Sequence, residues 1–250
     1  MFFCSEAGTR LAVDGSTASP LLPTGRRWSY RDALRTGASL LLLVGGGVLA
    51  ARGVPAPEAE VFEAVNGLPG ALWPVVWPVM QLGSLIGALA VAALLGLGTR
   101  RPSVGACAAG AVLVSWLAAK WVKGIVGRER PFGVGLDVIV RDHATYGLGY
   151  VSGHAALAAA AYTVAIPHLR GWWRPFALAL LIVVGFGRIY AGAHLPLDVI
   201  GGAAMGVLIG EAFRLVEVRW RTGRVPRPAD LAAPADEPTV GESVGSTPAR

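Results

Sequence analysis

The charges of this chain stand in small groups separated by long uncharged stretches, and those stretches predict the main elements. No residue between Arg35 and Arg52 is charged, which predicts a helix over 36–52. Glu63 and Arg100 bound a second charge-free stretch, interrupted by Pro69, Pro74 and Pro78. Proline removes a backbone donor and clashes with the preceding turn. Residues 69–79 are therefore expected as a re-entrant or interfacial piece, and 80–98 as the next helix. Further apolar runs predict helices over 103–122, 152–169, 173–188 and 196–215, with a polar loop over about 124–150. Residues 53–68, which include Glu58, Glu60 and Glu63, read as a loop or an interfacial helix.

Each run approaches the roughly 20 residues that a helix needs to cross a bilayer core. Composition agrees. Of the 250 residues, 54% are hydrophobic and 15% charged, where an ordinary soluble domain carries roughly 25% charged residues. Lipid must cover much of this surface. The expected fold is all-α, a six-transmembrane helical bundle over 31–218, with a mobile arm at 1–30 and a disordered tail at 219–250. The first 20 residues lack the basic start, apolar run and small-residue cleavage site of a signal peptide. Cys4 and Cys107 form no disulfide or metal-binding pattern and read as small apolar fillers.

A net charge of +6 raises the question of nucleic acid. The basic residues, however, gather at the ends of apolar runs instead of forming a stripe interleaved with aromatics, so no nucleic-acid partner is expected. Their distribution instead orients the chain by the positive-inside rule. Arg26, Arg27, Arg31 and Arg35, then Arg100 and Arg101, Arg170 and Arg174, and Arg219 to Arg227 all fall on one side of a six-span layout. That side is expected to be cytoplasmic and to hold both termini in the cell membrane.

Lys123, Arg128, Arg130, Arg141 and Arg188 fall on the other side, against the bias. Charge kept at membrane depth is costly and usually faces a polar cavity. His154, His194 and Asp198 share that side. Cations, imidazoles and one carboxylate from distant segments thus meet at one membrane face, and such a cluster calls for an anion, of which phosphate is the obvious one near a membrane. Ser152, Gly153 and His154 open the fourth helix, whose N-terminal amides suit an anion. Ser152 either caps that helix or donates its hydroxyl to phosphate. Asp198 lies one helical turn beyond His194 and could hold its tautomer.

These residues resemble the type 2 phosphatidic acid phosphatase superfamily, the membrane lipid phosphate phosphatases. The first family motif, Lys-x6-Arg-Pro, is matched by Lys123, Arg130 and Pro131. The second, Pro-Ser-Gly-His, is matched by Ser152, Gly153 and His154, with Val151 in place of proline. The third, Ser-Arg-x5-His-x3-Asp, is matched by Arg188, His194 and Asp198, with Gly187 in place of serine.

The resemblance implies hydrolysis of a lipid phosphate or pyrophosphate through a phosphohistidine. Candidate substrates are a prenyl pyrophosphate, phosphatidic acid or phosphatidylglycerol phosphate. In this reading His194 is the nucleophile, Asp198 orients it and His154 is the acid and then the base. Lys123, Arg130, Ser152, Gly153 and Arg188 hold the phosphoryl oxygens. No metal or cofactor is implied, and the expected partners are the lipid substrate and membrane lipids. Val151 and Gly187 replace no reacting group, so altered loop geometry or substrate preference is expected from them. Arg128 reads as structural or headgroup-binding ahead of a second-phosphate role, and His143 as a bystander. A haloperoxidase and a non-hydrolysing binder of phosphorylated lipids are the competing functions. A binder needs the cations but not His154, His194 and Asp198 together.

Overall fold

A computed structural model of the chain describes residues 30–142 and 146–222. His143, the arm expected at 1–30 up to residue 29, and the expected tail from residue 223 onward lie outside the described residues. The described residues form α1 (Tyr30–Ala51), α2 (Ala56–Asn66), α3 (Trp73–Met80), α4 (Leu85–Thr99), α5 (Pro102–Val126), α6 (Gly153–Ala165), α7 (Trp173–Tyr190) and α8 (Pro196–Thr222). The fold is all-helical, and no β-strand occurs among the described residues.

Four of these helices, α1, α5, α7 and α8, are long and apolar enough to cross a membrane. The proline-rich piece and α4 make a further candidate, bent by 69° at Ser84. Ser84 is extended in backbone and accepts a hydrogen bond from Gly87 N at 3.1 Å, so it ends one segment and caps the next. The fourth expected span is different. α6 has 13 residues, about 20 Å of helix at 1.5 Å per residue, against a core of about 30 Å. Nine of its residues are buried, so it lies inside the bundle, shielded by its neighbours.

Small residues allow this interior position. Gly202, Gly206 and Gly210 repeat every fourth residue on α8 and face α6. A Cβ on Gly206 would stand 2.9 Å from Ala159 Cβ, and one on Gly210 would stand 2.6 Å from Thr163 Cβ. Gly96 of α4 and Gly105 of α5 likewise let two backbones touch, since a Cβ on Gly96 would lie 3.2 Å from Gly105 Cα. In lipid there is little hydrophobic gain from helix association, so close backbone packing supplies the attraction instead. Outward faces remain apolar, with Leu41, Ile86, Leu97, Trp121 and Ile182 all exposed.

The helices bring alternate ends together. The C-terminal ends of α5 and α7 and the N-terminal ends of α4, α6 and α8 meet at one end of the bundle. α2 lies against that end with Glu58, Phe62 and Asn66 buried along one stripe. The spacing of four residues puts all three on one helix face.

Candidate active site

The site begins where α7 turns into α8. The chain reverses at Gly192, whose φ of +76° favours glycine, and a Cβ there would sit 2.5 Å from Val138 Cγ1. The reversal returns His194 N to within 3.2 Å of Arg188 O. Arg188 and His194, six positions apart in sequence, thereby share one space. Pro196 then opens α8, and Asp198 falls in its first turn. Asp198 Oδ2 lies 3.3 Å from His194 Nδ1 and accepts Leu195 N at 3.0 Å.

The second wall comes from α5 and the loop beyond it. Gly127 ends α5 in the left-handed region. The next residues pair with 147–149, Gly149 N donating to Arg128 O at 2.7 Å and Arg130 N to Gly147 O at 3.1 Å. Lys123 Nζ is steered by two carbonyls, Leu148 O and Gly149 O, both at 2.9 Å. Arg130 Nη1 donates to Ala193 O at 3.1 Å. Gly149 also admits Asp198, because a Cβ there would stand 2.8 Å from Asp198 Oδ2.

The third wall is the start of α6. Ser152 occupies the N-cap position, but its side chain makes no capping bond. Its hydroxyl is buried and has no hydrogen-bond partner among the described residues. Its amide instead donates to Asp198 O at 2.7 Å, tying α6 to α8. An unsatisfied buried hydroxyl is costly, and a phosphoryl oxygen would satisfy it.

A cavity of about 350 Å³ joins these walls. Lys123, Arg130, Gly153, His154, Arg188 and His194 line it, as the motifs require. Ser152 and Asp198 stand outside the lining, Asp198 with no exposed surface at all. Leu85, Trp116, Ala119 and Leu157 also line it. Lys120 lines it too, one turn back from Lys123 along α5, with its ammonium 3.5 Å from the centroid of the Trp116 ring. Burial, reinforced by Lys123, Arg188 and Arg130, holds His194 well below the ordinary imidazole range. His194 is therefore uncharged near neutrality, the form able to attack an electrophile. Among the described residues, no group of three or more His, Cys, Asp and Glu side chains is arranged to hold a metal ion.

Arg128, read as structural or headgroup-binding, takes the structural place, and Glu58 and Asp142 escaped the sequence reading. Arg128 is buried and faces inward: it grips Glu58 with both terminal nitrogens, at 3.1 and 2.5 Å, and reaches Asp198 Oδ1 at 3.3 Å. It therefore sits beside the carboxylate behind His194 instead of facing a headgroup. Glu58 had looked like one of three loop acids, yet it alone of Glu58, Glu60 and Glu63 is buried. The stripe Glu58, Phe62, Asn66 was the available signal. Asp142 bonds Arg188 Nη1 at 2.6 Å, and nothing in the local sequence marked it. Arg141, among the cations expected to serve function, is structural. It donates to Asn66 O, Tyr190 O and Leu68 O and packs 4.1 Å above the Tyr190 ring.

The two motif departures have packing reasons. Val151 is fully buried in the hydrophobic core. Gly187 lets α3 approach, since a Cβ there would lie 3.0 Å from Val76 Cγ1 and 3.1 Å from Met80 Cβ.

Residues 102–221 match the PAP2 superfamily. These residues belong to this superfamily. That stretch contains all three walls of the cavity's charged lining. Two solved structures resemble the chain. One is LpxE of Aquifex aeolicus, 25% identical, with a TM-score of 0.55 over 62% of this chain and 92% of that one. The other is a transmembrane PAP2 type phosphatidylglycerolphosphate phosphatase from Bacillus subtilis, 22% identical, with a TM-score of 0.57 over 70% of this chain and 94% of that one. At that identity the second likeness shows the fold. No curated protein sequence matches the chain significantly. Family and membrane-spanning helices together support a membrane lipid phosphatase.

Proposed function

We propose that this protein hydrolyses a phosphomonoester or pyrophosphate of a membrane lipid through a phosphohistidine at His194. The observation that carries the reading is the convergence of Lys123, Arg130, Arg188, His154 and His194 on one cavity, with Asp198 behind His194. A phosphate binder would use the cations; the paired imidazoles add a nucleophile and a proton carrier.

His194 Nδ1 faces Asp198, so the proton sits on Nδ1 and the lone pair on Nε2. Nε2 forms a bond to phosphorus while the phosphorus bond to the lipid oxygen breaks, and His154 donates a proton to that oxygen. Water then attacks phosphorus, His154 takes its proton, the nitrogen–phosphorus bond breaks and phosphate leaves. Lys123, Arg130, Arg188, the Ser152 hydroxyl and the Gly153 amide neutralise the phosphoryl oxygens, which supplies most of the catalysis in such transfers. Asp198 orients His194 and stabilises the charge it acquires.

The basic segments around Arg35, Arg100, Arg174 and Arg219 favour cytoplasmic termini and an extracytoplasmic site. Leu85, Trp116, Ala119 and Leu157 give the cavity an apolar wall that suits the start of an acyl or prenyl chain, with Lys120 beside it as a further cation. Prenyl pyrophosphate, phosphatidic acid and phosphatidylglycerol phosphate all present a terminal phosphate on such a chain, and each is a candidate substrate. The test is phosphate release by detergent-purified protein from these three lipids, with a chelator present. We expect turnover that persists with chelator and disappears in His194→Ala. Turnover surviving that substitution would remove His194 from the reaction, and loss with chelator would assign it to a metal.

A further inference from the structure

Asp198 is itself held from behind. Its two oxygens are divided. Oδ2 takes His194 Nδ1 and Leu195 N, whereas Oδ1 takes Arg128 Nη1 at 3.3 Å. Arg128 is held in turn by Glu58, and Glu58 Oε1 also accepts Leu197 N at 2.8 Å, on the first turn of α8. Arg128 and Glu58 have side chains 2% and 5% exposed, so water does not compete for either. Two planar groups meeting by paired bonds fix orientation as well as distance. The route runs from α2, through the loop after α5, to the carboxylate behind the nucleophile.

We infer that Arg128 and Glu58 are positioning residues that act on His194 through Asp198, with Arg128 keeping that carboxylate ionised and aimed and Glu58 aiming Arg128. The inference rests on the phosphohistidine reading. Six titratable or charged side chains face Asp198 from the surrounding elements: Glu58, Lys123, Arg128, Arg130, Tyr150 and His194. Arg128 and Glu58 act on it with opposite signs. Removing the guanidinium charge makes Asp198 and His194 easier to protonate, whereas removing the Glu58 charge makes them harder to protonate. Either protonation stops nucleophilic attack, so both substitutions move the acid side of the rate profile, in opposite directions.

The experiment measures kcat and KM against pH for Arg128→Gln, Arg128→Lys and Glu58→Gln, with His194→Ala alongside. In Arg128→Gln we expect kcat to fall about 10- to 100-fold, as for lost orienting groups, with KM within about threefold. Its acid limb should move to higher pH. Arg128→Lys should recover part of kcat and return the limb toward its original position. Glu58→Gln keeps an acceptor for Leu197 N, and its acid limb should move to lower pH. If Arg128→Gln does not fold, the Glu58→Gln limb decides alone. Limbs that stay put, or that move the same way in both variants, would overturn the proposal. An active His194→Ala would sink the phosphohistidine reading instead, and an inactive one with unmoved limbs sinks this inference only.

Discussion

α8 carries buried charge at both ends, and the two ends are built differently. Toward its C-terminus, Glu211 and Arg214 meet Asp32 and Arg35 of α1, two acids against two bases. Arg35 pairs with Asp32 at 2.9 Å and with Glu211, and Arg214 pairs with Asp32 at 3.1 Å and Glu211 at 2.6 Å. At its N-terminus, Asp198, Glu58 and Asp142 face Lys120, Lys123, Arg128, Arg130 and Arg188, five bases against three acids. Lys123 there rests on carbonyl oxygens. The first end balances acids against bases and joins two helices. The second keeps surplus positive charge beside a cavity, as an anion site must.

The largest effect is expected at His194. His194→Ala should lower phosphate release about a thousandfold or more, the scale seen when a covalent catalyst is removed, without loss of the purified folded protein. Arg188→Ala comes next, at about 100-fold in kcat/KM, since a guanidinium aimed at transferring oxygens acts mainly in the transition state. Arg188→Lys should recover only part of this, because a point charge cannot replace the planar fork.

The opposite end should respond in stability and not in rate. Asp32→Asn leaves Arg35 and Arg214 short of one negative charge in a buried setting, at a cost on the order of 3 kcal/mol. Thermal denaturation in detergent should show the loss, with kcat/KM within about twofold of the parent. A matching fall in kcat/KM would mean the two ends are coupled.

The smallest effect is on pH dependence. Burial depresses His194 below its ordinary value of 6.5, so the unfolded chain takes up a proton there before the folded one does. Stability from this group is therefore full above pH 6.5 and declines as pH falls below it. Melting temperatures across that window should fall less steeply in His194→Gln than in the parent.

Much of this was legible along the chain. Arg35 to Arg52 and Glu63 to Arg100 mark apolar helices because a membrane leaves charge almost nowhere else to go. Lys123, Arg130, His154, Arg188 and His194 were legible because they stand against that same bias, at motif spacings. Glu58 and Arg128 were not. Their meaning depends on each other and on Asp198, at separations of 70 residues, and no local period reports a pair that distant. The burial of α6 was not legible, because an apolar run that faces lipid and one that faces other helices have the same composition.

The sequence by itself determined that the chain is a helical membrane protein with a basic, histidine-bearing site, since desolvation cost alone sorts charged from apolar segments. The tertiary structure decided which polar groups serve that site. Only when α2, the loop after α5 and the start of α8 are packed together does Arg128 sit between Glu58 and Asp198. Only then is the Ser152 hydroxyl left buried without a hydrogen-bond partner among the described residues. The physical reason is that an ion pair or an orphaned hydroxyl exists between segments, and three-dimensional packing alone brings those segments within 3 Å of one another.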